Sequence, residues 1–293
     1  MPLPDLLTLR LRFQTLAPQL LPPLPTNALR GALGHALRAL ACRQRPNTPC
    51  DGCLHAPGCG YPLLFEPPGR PDAGLGVTDH APPPLVFAPE SPVLGGSPIL
   101  LPDGDSLAVR VTLVGRLAAA YEDLAIAALR KGAESGVGIS PADKRSKVPL
   151  HLASVERIPR LDLPVPSAAE LTFVSPVRLH ADGKIRGLIE APQFLAALLR
   201  RTDTLTRLYG TEPFDNLSAP DGLRFRSRDT HVISVIRYSS RQERRMELPG
   251  VLGTFILDGD LASIWPSLLF GERVQIGKGT SFGFGRYRLR GVE

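Results

Sequence analysis

Near the end of the chain stands Gly277-Lys278-Gly279-Thr280-Ser281-Phe282-Gly283-Phe284-Gly285-Arg286-Tyr287, a stretch whose residue types suit the binding of an anion. Gly277, Gly279, Gly283 and Gly285 admit positive φ and carry no Cβ, so backbone N–H groups can approach phosphate oxygens closely. Lys278 and Arg286 add fixed positive charge, while Phe282, Phe284 and Tyr287 offer flat faces for a stacked base or for a core. The plain alternative is a glycine-rich hairpin that binds nothing. A phosphate-loop NTPase is excluded. The run from Gly271 to Gly277 is one residue too long, and Gly279 stands where Ser or Thr must hold magnesium.

A second set of chemically capable residues lies at Leu29-Arg30-Gly31-Ala32-Leu33-Gly34-His35-Ala36-Leu37-Arg38. Leu29, Ala32, Leu33, Ala36, Leu37 and Leu40 recur at helical spacing and form a core stripe, with Thr26 or Asn27 as the expected cap. Arg30, Gly31, Gly34, His35 and Arg38 fall on or beside the opposite face, where charged groups flank a patch low enough for another backbone to approach. A solvated helix face is the simpler reading of His35 and Arg38. All four cysteines follow at once as Cys42-x7-Cys50-x2-Cys53-x5-Cys59. The Cys50-x2-Cys53 pair can share one ion and the flanking thiols can complete a tetrahedral set, so a structural zinc is expected at residues 42–59, with His55 as a spare ligand. An iron–sulfur cluster and a metal-free knuckle are the alternatives.

The elements that must position these groups are read from periodicity. A chain of 293 residues, 43% hydrophobic, can bury two cores, and 34 Lys and Arg against 28 Asp and Glu permit an anionic partner without demanding one. Neither a signal peptide nor a membrane span is read, so a cytoplasmic protein with no membrane association is expected. Leu7, Leu9, Leu11 and Phe13 alternate with polar residues as a half-buried strand. Residues 62–102 are dense in Pro and Gly, which predicts loops and no second long helix in this part of the chain. A fresh unit is read from Ser106, with a strand over Leu107–Leu113 and a helix over Leu117–Lys131. Lys144, Arg145 and Lys147 then form either solvated surface or a phosphate-contacting arm. Strands over Val148–Ile158, Leu171–His180, Leu223–Tyr238 and Val251–Leu257 follow, with helices over Gln193–Tyr209 and Leu261–Leu269; Arg200, Arg201 and Arg207 are expected to face outward.

This succession of strands and helices, ending in a strand introduced by a glycine-rich loop, resembles the ferredoxin-like fold of the RAMP superfamily of CRISPR-associated RNA-binding proteins. Four stretches are similar to those of its endoribonucleases that cut CRISPR repeat RNA: Leu29–Arg38 with its cysteine cluster, Phe173-Val174-Ser175-Pro176-Val177-Arg178-Leu179, Arg237-Tyr238-Ser239-Ser240-Arg241-Gln242, and the glycine loop. The resemblance implies an α+β chain of two tandem ferredoxin-like domains. They are placed at 1–105, degenerate and carrying the cysteine knuckle, and at 106–293, carrying the glycine loop at 277–285. It also implies the activity, in which a ribose 2′-OH attacks the adjacent phosphorus with no metal cofactor and matures precursor transcripts into guide RNAs.

On that reading His35 is the candidate general base or acid, because an imidazole ordinarily titrates near neutrality. Arg30, Arg38 and Arg241 stabilise charge developing on the phosphorane. Gly277, Lys278, Gly279, Gly283, Gly285 and Arg286, with Lys144 and Arg145, hold the RNA. The implied partners are repeat RNA, as a stem-loop, the guide RNA retained as product, and other subunits of a CRISPR ribonucleoprotein. A non-catalytic RNA-binding RAMP subunit is the competing class.

Overall fold

The computed structural model of the chain describes residues 3–44, 48–70, 80–93, 95–181, 184–185, 189–211, 219–220, 222–239 and 244–292. In order the elements are β1 (Leu6–Thr15), β2 (Gln19–Leu21), α1 (Pro25–Ala41), a 3-10 turn (Ala56–Gly58), α2 (Gly60–Leu64), β3 (Leu85–Pro89), β4 (Ile99–Leu101), β5 (Ser106–Val114), α3 (Arg116–Ala119), α4 (Glu122–Glu134), β6 (Gly138–Ile139), β7 (Lys147–Val148) and β8 (Leu150–Ile158). They continue with β9 (Ala168–Val177), β10 (His180–Ala181), β11 (Lys184–Ile185), α5 (Ala191–Tyr209), β12 (Arg224–Ser239), β13 (Arg244–Asp258), α6 (Trp265–Val274), a second 3-10 turn (Thr280–Phe282) and β14 (Tyr287–Val292). Among the described residues no helix is long and apolar enough to cross a membrane.

The expected alternation in β1 buries Leu9, Leu11 and Phe13 completely, each contributing roughly 1.5–3 kcal/mol by leaving water. Antiparallel partners lie on both sides of it: Leu9 faces Val111 of β5, and Leu11 faces Val155 of β8. The resulting sheet runs β3-β5-β1-β8, with the stripes of α1 (Leu29, Leu33, Leu37) and α4 (Ala125, Ala128, Leu129) in one core with its apolar residues. This is the ferredoxin-like order, complete with both helices. The expected boundary at 105/106 therefore cuts through a single sheet. The strand and helix read as the start of a fresh unit are the third strand and second helix of the first one, so that unit is not degenerate and runs to Ile158. A small accessory sheet, β4-β2-β6-β7, is attached to it.

The second unit repeats the pattern as β12-β13-β9-β14, with α5 and α6 contributing to its core. Phe173, Phe194, Phe225, Phe255 and Tyr287 interlock there, with Phe225 stacked 4.9 Å from Phe255 and Phe173 edge-on to it at 5.6 Å. The helix read at Leu261–Leu269 lies further along, because the backbone turns at Leu261–Ile264 before α6 begins.

Apolar contacts, direct hydrogen bonds and buried charge join the two domains. Leu24 and Val93 cluster with Val235, Leu248 and Phe284, and Val86 and Val114 cluster with Leu205, Phe270 and Val274. The Gln275 amide donates to the Phe87 carbonyl at 2.5 Å, and the Val93 N–H to that of Val174 at 2.8 Å. Between these contacts Arg110 bonds Glu90 at 2.9 Å and Glu272 at 3.1 Å, while Arg286 reaches Glu90 at 3.4 Å and Arg273 reaches Glu272 at 3.2 Å. Three guanidinia and two carboxylates withdrawn from water in this way hold the domain junction in one register, since each charge is costly to bury alone.

Candidate functional site

Helix α1 presents its polar face to a groove of about 660 Å³ at the junction of the domains. Pro25 begins the helix and the neighbouring cap residue Leu24 contributes no side-chain bond. Thr26, expected as a cap, instead donates its hydroxyl to the Phe282 carbonyl of the glycine loop at 2.7 Å. The helix that carries His35 is thus fastened to the loop that the sequence singles out. His35 is exposed and lines both this groove and a smaller neighbouring one with Lys147 and Lys131.

Arg30 and Arg38 line the same groove, half-buried, and aromatic rings hold each of them. The Arg30 guanidinium lies 4.2 Å from the centre of Phe65 and 5.8 Å from that of Phe282, clamped between the end of α2 and the glycine loop. Arg38 lies 5.2 Å from the Tyr61 ring and donates to the Thr48 carbonyl. Burial, reinforced by Glu66, pushes the Tyr61 hydroxyl up to about 12, so it remains a protonated hydroxyl beside Arg38. Gly34 does not leave a gap for a foreign backbone: a Cβ there would fall 2.3 Å from the Phe65 ring, which occupies that place. Gly31, with nothing within 4 Å of its Cβ position, is the open part of the face.

Much of the glycine loop's backbone is used within the fold. The N–H groups of Lys278 and Gly285 are taken by the carbonyls of Arg178 and Pro176, both at 2.9 Å, and those of Phe282, Gly283 and Phe284 by carbonyls within the loop. Its glycines serve the chain's own packing. A Cβ on Gly283, at φ +101°, would fall 2.2 Å from the Thr26 hydroxyl, and one on Gly285, at φ +75°, would fall 1.9 Å from the Ile276 carbonyl oxygen. Phe284 and Tyr287 are core residues, which leaves Phe282 as the loop's partly exposed aromatic ring at the groove.

The structure therefore brings together His35, Arg30 and Arg38 with one wall of the glycine loop, and separates the other candidates. Arg286 is 1% exposed within the interdomain ion cluster, where Glu90 holds it, so it does not reach a ligand. Gly277 and Lys278 line a different cavity beside α5. Lys144 and Arg145 are exposed at the turn between β6 and β7, where the Asp143 carboxylate accepts the Arg145 N–H at 2.9 Å. Arg241 lies outside the described residues, as do the neighbouring Ser240 and Gln242. Tyr61, Phe65, Glu66 and Lys147 are lining residues that the sequence reading left out of the site. The aromatic pair following Cys59 at four-residue spacing is the signal that could have found the first two.

Cys42, Cys50, Cys53 and Cys59 are half-buried and line a single cavity of about 590 Å³, together with His55. Cys59 donates to the Ala41 carbonyl at 3.7 Å, and burial pushes the Cys50 thiol up. The donor set has the chemistry of a zinc site. Among the described residues, however, no three His, Cys, Asp or Glu side chains converge into a closed ligand set.

Residues 171–287 match the family model of the CRISPR-associated endoribonuclease Cas6, and a second model, described as an N-terminal domain, matches residues 3–170. Their junction at 170/171 falls three residues into β9, near the boundary between the two sheets and far from 105/106. No curated protein matches significantly. Solved structures resemble the chain over nearly its whole length. A Cas6-related protein from Pyrococcus furiosus is 12% identical with a TM-score of 0.58, covering 99% of this chain and 100% of its own. A Cas6 product complex is 16% identical with a TM-score of 0.57 and the same coverage. A protein described as a RAMP protein binding different RNA substrates is 13% identical with a TM-score of 0.54, covering 97% and 99%. At such identities the structures testify to the fold, and it is the fold found here in both halves. Residues 171–287 thus match the Cas6 family model, and the chain as a whole shares the fold of the solved Cas6 and RAMP proteins.

Proposed function

We propose that the chain is a metal-independent endoribonuclease that binds CRISPR repeat RNA, as a stem-loop, and cuts precursor transcripts into guide RNAs in the cytoplasm. The observation that carries this reading is the placement of an exposed imidazole, His35, between two clamped guanidinia and Lys147 in the groove at the domain junction. The ribose 2′-OH attacks phosphorus, the P–O bond to the 5′ oxygen breaks, and a 2′,3′-cyclic phosphate and a 5′-OH result. The proton lost from the 2′-OH and the one gained by the leaving oxygen both need a carrier; His35 is suited to either transfer. Arg30 and Arg38 stay charged throughout and, held by rings, require little reorganisation to meet the phosphorane.

A second reading is favoured by one observation: Arg30 and Arg38 already serve the packing of the cysteine segment, as they would in a non-catalytic RNA-binding subunit. Assembly with further subunits of a CRISPR ribonucleoprotein and retention of the guide RNA are compatible with both readings. The deciding experiment incubates purified protein with its cognate repeat in chelator, with and without one 2′-deoxy nucleotide just 5′ of the scissile phosphate. One cut that the substitution abolishes, with binding retained, is expected. Cleavage of the deoxy substrate, or a strict magnesium requirement, refutes the mechanism, and no cleavage of any cognate repeat establishes the second reading.

We also propose that the four thiolates bind one structural zinc ion, which would draw Cys42 and Cys59 at the two ends of the segment onto the Cys50–Cys53 pair. The support is their common cavity at the C-terminal end of the helix carrying His35.

A further inference from the structure

On the far side of the glycine loop from Phe282 lies a cavity of about 440 Å³. It is bounded by α5, the residues following β9, the start of the loop and Pro82 of the first domain. Four cations line it: Arg178, Arg200, Arg201 and Lys278. No Asp or Glu does so among the described residues.

Two of these cations are only partly exposed, with no acid beside them among the described residues. Arg201 was expected to face outward, yet its guanidinium turns back onto the Val274 carbonyl, donating at 3.3 and 3.1 Å. Burial pushes it down to about 10. Arg178 donates to the Pro249 carbonyl at 2.9 Å and is likewise lowered by burial. Elsewhere the same protein treats buried guanidinium differently: Arg110 and Arg286 are both matched with Glu90, and Arg110 again with Glu272. A partly desolvated charge with only carbonyls for company is stabilised when a counter-ion joins it. Beside them the Gln193 side-chain oxygen is buried with no hydrogen-bond partner among the described residues. It is an acceptor set next to a group of donors, so it suits an O–H on the same ligand. Exposed Arg200 and Lys278 at the mouth complete a site open to solvent.

We infer that this cavity is a phosphate-binding subsite, separate from the His35 groove, that takes a phosphoryl group and an adjacent ribose hydroxyl. The planar forks of Arg178 and Arg201 favour bidentate contact with phosphate oxygens, and Arg200 and Lys278 supply charge without fixed geometry. The phosphate is that of an RNA backbone, which rests on the RNA-binding reading above, or of a free nucleotide. The Lys278 N–H is already occupied by the Arg178 carbonyl, so Lys278 contributes through its side chain.

The test is the double variant Arg200→Ala/Lys278→Ala, which changes two exposed side chains and leaves Arg178 and Arg201 in place. Two titrations are made with the full-length protein: labelled repeat RNA across a salt series, and adenosine monophosphate followed by calorimetry. In the first, the double variant should bind about 10-fold more weakly or worse, with its salt slope reduced by about 1.4, the equivalent of two single-strand phosphate contacts. That outcome assigns the site to RNA backbone. Should RNA affinity and slope be unchanged while nucleotide binding seen with the unaltered protein is lost, the subsite stands and its ligand is a free phosphate ester. Unchanged binding in both titrations by a folded double variant overturns the inference. Protein that binds no RNA at all refutes the functional reading alone, because the nucleotide titration still decides this one.

Discussion

Glu90→Ala should be among the most damaging single changes outside the hydrophobic core. Glu90 follows β3 in the first domain, yet its carboxylate meets Arg110 at 2.9 Å, Arg286 at 3.4 Å and Arg10 at 3.9 Å, and its own carbonyl accepts from Arg288 at 3.1 Å. Truncation leaves Arg110 with Glu272 alone. It also leaves Arg286, 1% exposed and with Nε and Nη1 already lacking partners, without its acid. Removing one partner of a buried ion pair typically costs about 3–5 kcal/mol; because Glu272 remains for Arg110, the lower end applies, about 3 kcal/mol. That is a factor of about 100 in the unfolding constant.

Urea denaturation measures it, with circular dichroism reporting the whole chain and fluorescence of the single tryptophan, Trp265, reporting the second domain. Since Glu90 bonds across the junction, the variant's two signals should also separate. The pH dependence has a defined sign. Burial alone would raise the Glu90 carboxyl, but Arg286, Arg110 and Arg10 outweigh it and hold it below the usual carboxylate range. Its contribution is therefore complete above the ordinary glutamate pKa of about 4.3 and is lost as pH falls through the lower folded value. The gap between wild type and variant should be flat from pH 7 to 5 and close only under stronger acid. Glu156→Ala, which removes an exposed pair with Arg10, should cost under about 1 kcal/mol. If Glu90→Ala unfolds within about 0.5 kcal/mol of wild type, the ion cluster does not hold the domains together.

Gly283→Val should lower stability by about 2 kcal/mol or more as well as weakening RNA binding, because the added carbon collides with Thr26 and the φ is positive. Calorimetric melting separates this from a surface effect. Gly31→Ala, with open space at its Cβ, should instead stabilise α1 by about 1 kcal/mol, so any loss of repeat affinity in that variant reports RNA lying against the helix. Protein purified without added zinc should carry about one zinc per chain by metal analysis, and chelation should lower the melting temperature more than the cleavage rate; a metal-free, fully folded sample would sink the zinc proposal.

The elements with strong periodicity were legible: β1, α1, α5 and β12 stand close to where alternation or helical spacing places them. The domain boundary was not, because periodicity names an element but not its partner. The pairing of Leu11 with Val109 spans nearly a hundred residues, and the first domain's second helix sits after the proline-rich loops that hide the continuity. His35, Arg30 and Arg38 do share a groove, since helical spacing alone puts them on one face. The glycine loop's internal seam was not legible, because the same freedom from a Cβ serves a bound phosphate and a tight internal seam equally well. Arg286 misled because the carboxylate that buries it, Glu90, is 196 positions away.

The most direct measurement of the central claim is single-turnover cleavage of the cognate repeat by His35→Ala, at RNA concentrations above the dissociation constant so that binding does not limit the rate. Loss of proton transfer should slow the cut by roughly 100-fold or more with affinity unchanged, and Arg38→Ala should cost a similar factor by leaving phosphorane charge uncompensated. A His35→Ala protein that cuts at nearly the wild-type rate would contradict the assignment of proton transfer to the exposed imidazole of α1.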